Sequence, residues 1–338
     1  MFLKRYTVAA FLLIGLVGAY IYAYITQDSY SLDLFGVILP PISIAVLVMV
    51  PLVALYIASV LHISFYSLLS NLKLRKYNND YDKFVLAIID ALFAKKERKN
   101  SFKTSRYKLL GSILDNMIIA PISEMKSNSE NEKLNQAFTI INDIKSGKVV
   151  DLKAFGLRKD NEYMIHNNKN AYINGDITAE DVLSHAQNYA DLFCKEVYVD
   201  LVKKAPLHAI EKYKEYLTQE AFFEILKRIN AQENTLEVSN TTIIFFMENL
   251  RLDAKDYIEM SKITSTEMIP DQRLKLFESI SEKNEKGMNA YIYTLLDLEM
   301  ISVAATILDN SQENEFINFK AYMALRECNK NFNIELFI

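Results

Sequence analysis

The chain has no lysine or arginine between Arg5 and Lys73, and tryptophan is missing from the whole sequence. Two apolar runs, residues 6–25 and 37–69, occupy the stretch without basic residues. A helix needs about 20 apolar residues to cross the roughly 30 Å hydrocarbon core of a bilayer, and each run meets or exceeds that length. The sequence therefore predicts a transmembrane hairpin with spans at about residues 6–25 and 37–60.

Cysteine and histidine are scarce, which argues against several kinds of site. The two cysteines, Cys194 and Cys328, fall in the part expected to be cytosolic, where thiols stay reduced, so we predict no structural disulfide. The histidines beyond the hairpin are too widely spaced for a zinc-ligand pattern. Residues 146–148 are Ser-Gly-Lys, but the earlier glycine of a phosphate loop is missing. We therefore predict no metal site, no cofactor and no enzymatic activity.

The basic residues that flank the runs predict the orientation of the hairpin. Lys4 and Arg5 precede the first run, and Lys73, Arg75 and Lys76 follow the second. Lysine and arginine concentrate on the cytoplasmic side of short membrane flanks. Both ends of the chain are therefore expected in the cytoplasm. The first run is expected to remain as an anchor, because it is longer than the apolar region of a typical cleaved signal.

The net charge of −4 conceals a strong asymmetry along the chain. Residues 73–108 hold eleven lysines and arginines against four acidic residues, whereas residues 109–338 hold 25 against 36. Anionic lipid headgroups attract basic side chains next to a span, and an acidic distal surface repels nucleic-acid phosphates. We therefore expect lipid headgroups, and no nucleic acid, among the partners. The predicted membrane-surface residues are Lys73, Arg75, Lys76, Lys95, Lys96, Arg98 and Lys99.

Three prolines define the expected course of the second span. Pro40 and Pro41 suit the first turn of a helix, where their missing N–H groups cost nothing, and Pro51 is expected to kink the span. Residues 37–69 would form about 50 Å of helix, more than a bilayer requires. The end of this run is therefore expected to emerge from the membrane or to lie along its inner surface.

Beyond the hairpin the sequence predicts successive helices and no convincing strand. Asp80 is expected to cap one helix, and Ser129 with Glu132 forms a capping-box pattern before another. Thr178 with Asp181 forms a weaker box before one long helix whose apolar face includes Tyr189, and Thr218 and Asp253 each precede a further helical segment. Later helix starts are about 15 residues apart, the spacing of two-helix repeats. The predicted regions are a hairpin (1–76), a basic membrane-proximal helical region (77–147), an irregular insert or linker rich in asparagine and glycine (148–177) and an acidic helical-repeat domain (178–338).

Two segments resemble known families. The hairpin, with its short connector Ser29-Tyr30-Ser31-Leu32-Asp33-Leu34-Phe35-Gly36 and proline-initiated second span, resembles the lipopolysaccharide assembly protein A domain of bacterial inner membranes. Residues 290–305 are similar to the turn and second helix of a degenerate tetratricopeptide repeat (TPR). Its packing positions are matched by Leu295, Ile301, Ala304 and Leu308.

These resemblances imply an extended connector, a location in the bacterial inner membrane, and an all-α, TPR-like solenoid that binds peptides or proteins. Some aromatic side chains of such a helical array must line its concave face. The sequence does not select among the tyrosines, and the candidates for partner binding are Tyr213, Tyr216, Tyr291 and Tyr322.

The features together favour a non-enzymatic, membrane-anchored scaffold or chaperone. Its expected partners are subunits of a bacterial inner-membrane machine, either the flagellar type III export apparatus or the lipopolysaccharide assembly and quality-control system. The alternative is a membrane-surface enzyme with a site near His62 and the basic stretch, because an ionisable group at membrane depth is a functional candidate. A transporter or channel subunit is disfavoured, because the spans hold almost no polar residues to line a path.

We expect only about residues 26–36 to lie outside the cytoplasmic membrane, as the distribution of basic residues requires. A reporter that is active only in the periplasm should work when fused within this connector and should be inactive when fused after residue 100. Activity of the second fusion would overturn the topology.

Overall fold

The computed structural model describes residues 2–31, 33–34, 37–38, 40–120 and 129–338. The chain forms two compact units, residues 1–120 and 121–338. The described residues are mostly helical, which confirms the predicted all-α class. Residues 77–120 belong to the same unit as the hairpin. Residues 148–177 belong to the same unit as the later helices.

The first unit begins with a hairpin of two helices. Helix α1 spans Phe2–Tyr20 and continues as a π-helical turn at Ile21–Ile25, and helix α2 spans Ile44–Leu92. By length and composition both are apolar enough to cross a membrane. The two helices approach closely at Gly18, where an added Cβ would overlap the Met49 side chain. The Tyr56 hydroxyl donates a hydrogen bond to Thr7 Oγ1 at 3.0 Å, which satisfies a polar pair between apolar helices.

The connector between the two helices is extended. It contains four two-residue strands, β1 (Ser29–Tyr30), β2 (Asp33–Leu34), β3 (Val37–Ile38) and β4 (Ile42–Ser43), and the antiparallel pairs are β1 with β4 and β2 with β3. Leu32, Phe35 and Gly36 of the predicted connector lie outside the described residues. Pro40 and Pro41 precede β4, so the prediction that they begin the second helix is wrong.

Helix α2 is much longer than a single span. Its 49 residues correspond to about 73 Å of helix, and Pro51 lies inside it. Residues 44–72 contain no lysine, arginine or carboxylate and account for about 43 Å. That length equals the roughly 40–45 Å of a bilayer with its headgroup regions. The remaining 20 residues of α2 therefore extend about 30 Å further, from Lys73 to Leu92.

The far end of α2 is the attachment site for a short helix, α3 (Ser105–Asp115). Asp80, predicted to begin a helix, lies within α2 and is 1% exposed. Its carboxylate accepts hydrogen bonds from the backbone N–H groups of Lys103 and Thr104, at 3.0 and 2.7 Å, and from the Thr104 hydroxyl. Asp80 therefore satisfies donors before α3 instead of donors in its own helix. A Cβ added at Gly111 of α3 would overlap the Phe102 ring, so these segments pack tightly.

The second unit is built from helices joined by short connections. In its described residues these are α4 (Glu132–Lys145), α5 (Glu162–Ile173), α6 (Ala179–Ser184), α7 (Asp191–Val202), α8 (Leu207–Lys212), α9 (Gln219–Lys227), α10 (Asn240–Met247), α11 (Ala254–Thr264), α12 (Pro270–Lys283), α13 (Met288–Asp297), α14 (Ile301–Asp309) and α15 (Ile317–Glu327).

Alternate helices of this unit pack in a row. Helix α7 contacts α9, α9 contacts α11, and α11 contacts α13, while α10 packs against α12. One large apolar core extends from α6 to the start of α13, and a smaller core joins α13, α14 and α15. The unit is therefore layered along the chain, with each helix packed mainly against neighbours that are close in sequence.

Most helix starts follow the predicted capping signals. Thr178 with Asp181 and Asp253 with Asp256 form reciprocal capping boxes, and the Thr218 side chain also caps its helix. Helix α4 differs from the prediction, because Asn131 caps it, accepting from the backbone N–H groups of Lys133 and Leu134. Asparagine is as good an N-cap as serine, so the competition between neighbouring candidates decided the start.

The segment predicted as an irregular insert (148–177) instead contains α5, whose asparagines form one polar stripe. Asn167 pairs with the backbone of Val150 in both directions, accepting from its N–H at 2.9 Å and donating to its carbonyl at 3.0 Å. The Asn170 amide donates to the carbonyls of Ile144 and Lys148, at 2.8 and 3.0 Å. Asparagine usually signals a turn. Here asparagines at helical spacing form hydrogen bonds with the backbone N–H and carbonyl groups of the extended segment that follows α4.

We expect Asn167→Ala to lower the free energy of unfolding by about 1–3 kcal/mol, because it leaves both backbone groups of Val150 without their partner in a buried position. The measurement is chemical denaturation of the full chain in detergent, followed by circular dichroism. The control is Asn168→Ala, on the same helix, which should change the value by less than about 0.5 kcal/mol. Equal effects of the two substitutions would contradict this account.

Candidate functional site

Two neighbouring cavities lie on either side of residues 214–217 in the second unit, and both include Glu215 in their walls. The larger has a volume of about 440 Å³ and the smaller about 210 Å³. The larger volume falls within the roughly 300–1,000 Å³ range of small-ligand sites. We refer to the larger as the tyrosine cavity; it is lined by Lys159, Leu183, Ser184, Ala186, Gln187, Tyr189, Asp191, Cys194, Glu215 and Tyr216.

The tyrosine cavity is assembled from the ends of several elements. The Tyr189 ring packs against Phe193 of α7, with centroids 5.8 Å apart. Lys159 Nζ donates to the Gln187 carbonyl at 3.0 Å, which joins the loop before α5 to the loop after α6. Glu215 and Tyr216 belong to a single 3-10 turn at Lys214–Tyr216. The cavity wall therefore combines the end of α6 and the start of α7 with the loops beside them.

Two carboxylates act on the Tyr216 hydroxyl. Burial raises the pKa of Tyr216, and the negative charges of Glu215 and Asp191 raise that pKa further. Glu215 makes no ion pair in the part of the chain that the structure describes, whereas Asp191 Oδ2 pairs with Lys195 Nζ at 2.6 Å. The side chains of Lys195 and Asp191 are 40% and 70% exposed, so water screens this pair. The cavity wall is therefore negative beside Tyr216.

Cys194 lines the same cavity but is a poor nucleophile. Its side chain is buried, and burial raises the pKa of the thiol, with a further contribution from the Asp191 carboxylate. A nucleophilic cysteine needs a lowered pKa, because the thiolate is the reactive form. The cavity is therefore suited to binding rather than to thiol chemistry.

The smaller cavity presents an exposed aromatic ring. Lys214 Nζ lies 4.1 Å from the centroid of the Phe245 ring, a cation–π contact. Phe245 is 43% exposed, whereas its neighbour Phe246 is buried. Adjacent aromatic residues at core spacing are expected from the sequence to pack in the core, and Phe245 departs from that expectation. Successive residues of a helix point about 100° apart, so one of the two rings can be left at the edge of the core.

Of the four predicted partner-binding tyrosines, Tyr216 lines a cavity. Tyr213 and Tyr322 are buried, at 6% and 7% exposure, and Tyr322 packs against Phe337 with centroids 5.4 Å apart. Tyr291 is partly buried between the two apolar cores. Tyr213 and Tyr322 are therefore core residues and are not available as a binding surface.

Sequence reasoning missed Tyr189, Lys159 and Phe245 as cavity residues. Tyr189 was assigned to the apolar face of a long helix, but that helix ends at Ser184, and Tyr189 lies in the loop between α6 and α7. The pair Phe245-Phe246 did contain a usable signal, since one of two adjacent aromatic residues on a helix is left exposed.

The predicted membrane-surface residues separate into two groups along α2. Lys73, Arg75 and Lys76 are exposed just beyond the uncharged stretch. Lys95, Lys96, Arg98 and Lys99 follow the end of α2, about 30 Å further along the helix axis. Lys95 pairs with Asp90 at 2.6 Å, and Arg98 donates to the Leu114 carbonyl at 2.8 Å. The first group therefore lies beside the uncharged stretch of α2, and contact of the second group with a membrane surface stays a prediction.

His62 and the buried arginines do not form a second candidate site. The His62 ring lies 4.6 Å from Tyr66 and makes no hydrogen bond among the described residues. Arg228 donates to the backbone carbonyls of Val202 and Ala205 beyond the end of α7. Arg273 donates to Asp297 at 2.6 Å and to the Ser261 carbonyl at 2.9 Å, linking α11, α12 and α13. Both arginines thus satisfy structural acceptors.

Within the described residues, no group of three or more histidine, cysteine, aspartate or glutamate side chains is arranged to hold a metal ion. Comparison of the chain with protein-family models, with curated proteins and with solved structures gave no match.

We expect one of the two thiols to react with a maleimide at neutral pH in the folded protein and both to react after denaturation. Cys328 is exposed, whereas Cys194 is buried with a raised pKa. Mass spectrometry of the labelled full chain gives the count, and Cys328→Ser should abolish native labelling. Rapid native labelling of Cys194 would show that the wall of the tyrosine cavity opens.

Proposed function

We propose that this protein is a membrane-anchored scaffold or chaperone that binds other proteins without chemical turnover. The observation that carries the proposal is a pair of adjoining cavities with aromatic and charged walls, in a chain that also has two membrane-spanning candidates. Aromatic residues are enriched at protein-recognition surfaces. The proposed orientation places both ends of the chain in the cytoplasm of a bacterium, with the hairpin in the inner membrane.

The packing of the second unit supports a TPR-like array. The segment that resembles a tetratricopeptide repeat falls on α13, a turn and α14. At the turn, Glu299 has a positive φ of 56°. Leu295, Ala304 and Leu308 at the predicted packing positions are buried. The row from α7 to α13 is the arrangement expected when each repeat packs on its neighbours. Such arrays recognise proteins through surfaces that several repeats share.

The membrane anchor raises the concentration of the binding site beside its target. A weak binding site becomes effective when a tether holds it beside its target, because the second encounter is intramolecular. Candidate clients are subunits of the flagellar type III export apparatus or of the lipopolysaccharide assembly system. The enzyme alternative has less support, because His62 has no polar partner among the described residues that would activate it.

The test is co-purification from membranes with a tag at the C-terminus. The full chain should recover the same set of membrane-machine subunits in repeated experiments. A chain whose residues 1–72 are replaced by an unrelated two-span anchor should recover the same set, while residues 73–338 without an anchor should recover much less. His62→Ala should behave as the unchanged protein.

Each alternative has its own outcome in this design. Full recovery by the chain without an anchor would remove the tethering mechanism. Loss of cellular function in His62→Ala, at normal protein level and with the clients still bound, would favour the enzyme. Purification of the full chain alone would overturn the scaffold.

A further inference from the structure

We propose that the tyrosine cavity binds a cationic side chain, arginine in preference to lysine, from a client protein. This inference rests on the proposed function and adds the chemistry of recognition. Its walls combine two carboxylates, Asp191 and Glu215, with two tyrosine rings, Tyr189 and Tyr216. Carboxylates and aromatic faces are the two partners that a guanidinium group prefers.

The two carboxylates line the same cavity. Asp191, Glu215, Tyr216 and Cys194 all belong to its wall. Glu215 comes from the turn before α9 and Asp191 from the first residue of α7, so the two charges reach the cavity from different elements. A planar guanidinium has several N–H donors and can contact both carboxylates at once.

The aromatic rings supply the second requirement. Tyr189 is held by its contact with Phe193, and Tyr216 is partly buried in its turn. Rings that the fold fixes bind a cation with little loss of side-chain freedom. An arginine stem would pack on these rings, and its charged end would reach the carboxylates.

Three lysines lie in or near the tyrosine cavity and offset part of its negative charge. Lys159 lines the cavity, with its ammonium bound to the Gln187 carbonyl. Lys195 pairs with Asp191 in an exposed contact that an incoming guanidinium can replace. Lys214 lies over Phe245 in the adjoining cavity. Glu215 makes no ion pair among the described residues, and the residues that line the cavity include one more carboxylate than ammonium group.

The charge of the surrounding chain agrees with a basic ligand. Residues 109–338 hold 36 acidic against 25 basic residues. An acidic surface raises the local concentration of basic segments and repels acidic ones. The acidic surface and the two carboxylates of the cavity therefore both favour a positively charged ligand.

The experiment uses the full chain in lipid nanodiscs and saturation-transfer NMR with small probes. The probes are N-acetyl-arginine methylamide, its lysine counterpart and its neutral counterpart, N-acetyl-citrulline methylamide. We expect the arginine probe to bind at least about tenfold more tightly than the citrulline probe, a difference of about 1.4 kcal/mol. Binding should weaken with added salt, and the lysine probe should fall between the two.

The variant Asp191→Asn with Glu215→Gln should lose at least about tenfold in affinity for the arginine probe. The matched control is Glu211→Gln with Glu220→Gln, which removes the same charge from exposed positions outside both cavities. Circular dichroism and the midpoint of chemical denaturation report whether each variant is folded. If the double variant is unfolded, the comparison of arginine with citrulline on the unchanged chain decides the question.

Equal binding of arginine and citrulline, or an unchanged affinity in the folded double variant, would overturn the inference. The result is separable from the proposed function. If a folded double variant no longer binds the arginine probe but still recovers the membrane clients, the cavity binds arginine but the clients do not use it. A chain that binds the arginine probe but recovers no clients would contradict the scaffold and leave the cavity's specificity standing.

Discussion

Hydrocarbon offers no hydrogen-bond partner to a backbone amide, so a segment that crosses it must satisfy every backbone group internally. Helix α2 meets this constraint over residues 44–72 except at Pro51, which has no N–H to donate to the carbonyl four residues earlier. The stretch holds no lysine, arginine or carboxylate, and the same helix continues for another 20 residues. The rest of the first unit depends on that continuity. Asp80 lies on this extension, and its carboxylate holds the segment that leads into α3.

The second unit satisfies its polar groups in a different way. Asn167 and Asn170 pair with an extended segment, Arg228 with carbonyls beyond α7, and Arg273 with a group that joins three helices. These hydrogen bonds favour one arrangement of helices over its alternatives, although Arg273 Nε is buried without a partner among the described residues. The helices can therefore be short, and the loops between them are held firmly enough to form cavity walls.

The sequence predicted the features that depend on local rules. The two long apolar helices, the capping box at Thr178, the helix start at Asp253 and the all-α class follow from periodicity and from side-chain chemistry within a few residues. The role of Asp80 was harder to predict from the sequence. An aspartate before an apolar stripe has the same pattern whether it begins a helix or binds a distant loop. The partner of Asp80 is more than 20 residues away.

Burial of aromatic side chains also depends on distant contacts. Tyr213 and Tyr216 are three residues apart and similar in sequence context, yet Tyr213 is buried in the core and Tyr216 lines a cavity. The difference arises because α8 ends at Lys212 and the chain turns through the Lys214–Tyr216 segment. Cavities form where elements distant in the chain meet, so single-helix patterns cannot locate them.

The attachment of α3 to Asp80 makes the number of residues in the stalk, residues 73–79 of α2, a structural parameter in its own right. Each residue of an α-helix adds about 1.5 Å of rise and about 100° of rotation. Removing one residue from the stalk would rotate Asp80, and the loop bound to it, by more than a quarter turn around the helix axis relative to residues 44–72. Removing three residues would leave a rotation of about 60°, and removing four would leave about 40°. The direction in which α3 lies around the α2 axis is thus set by chain length, whatever side chains fill the stalk.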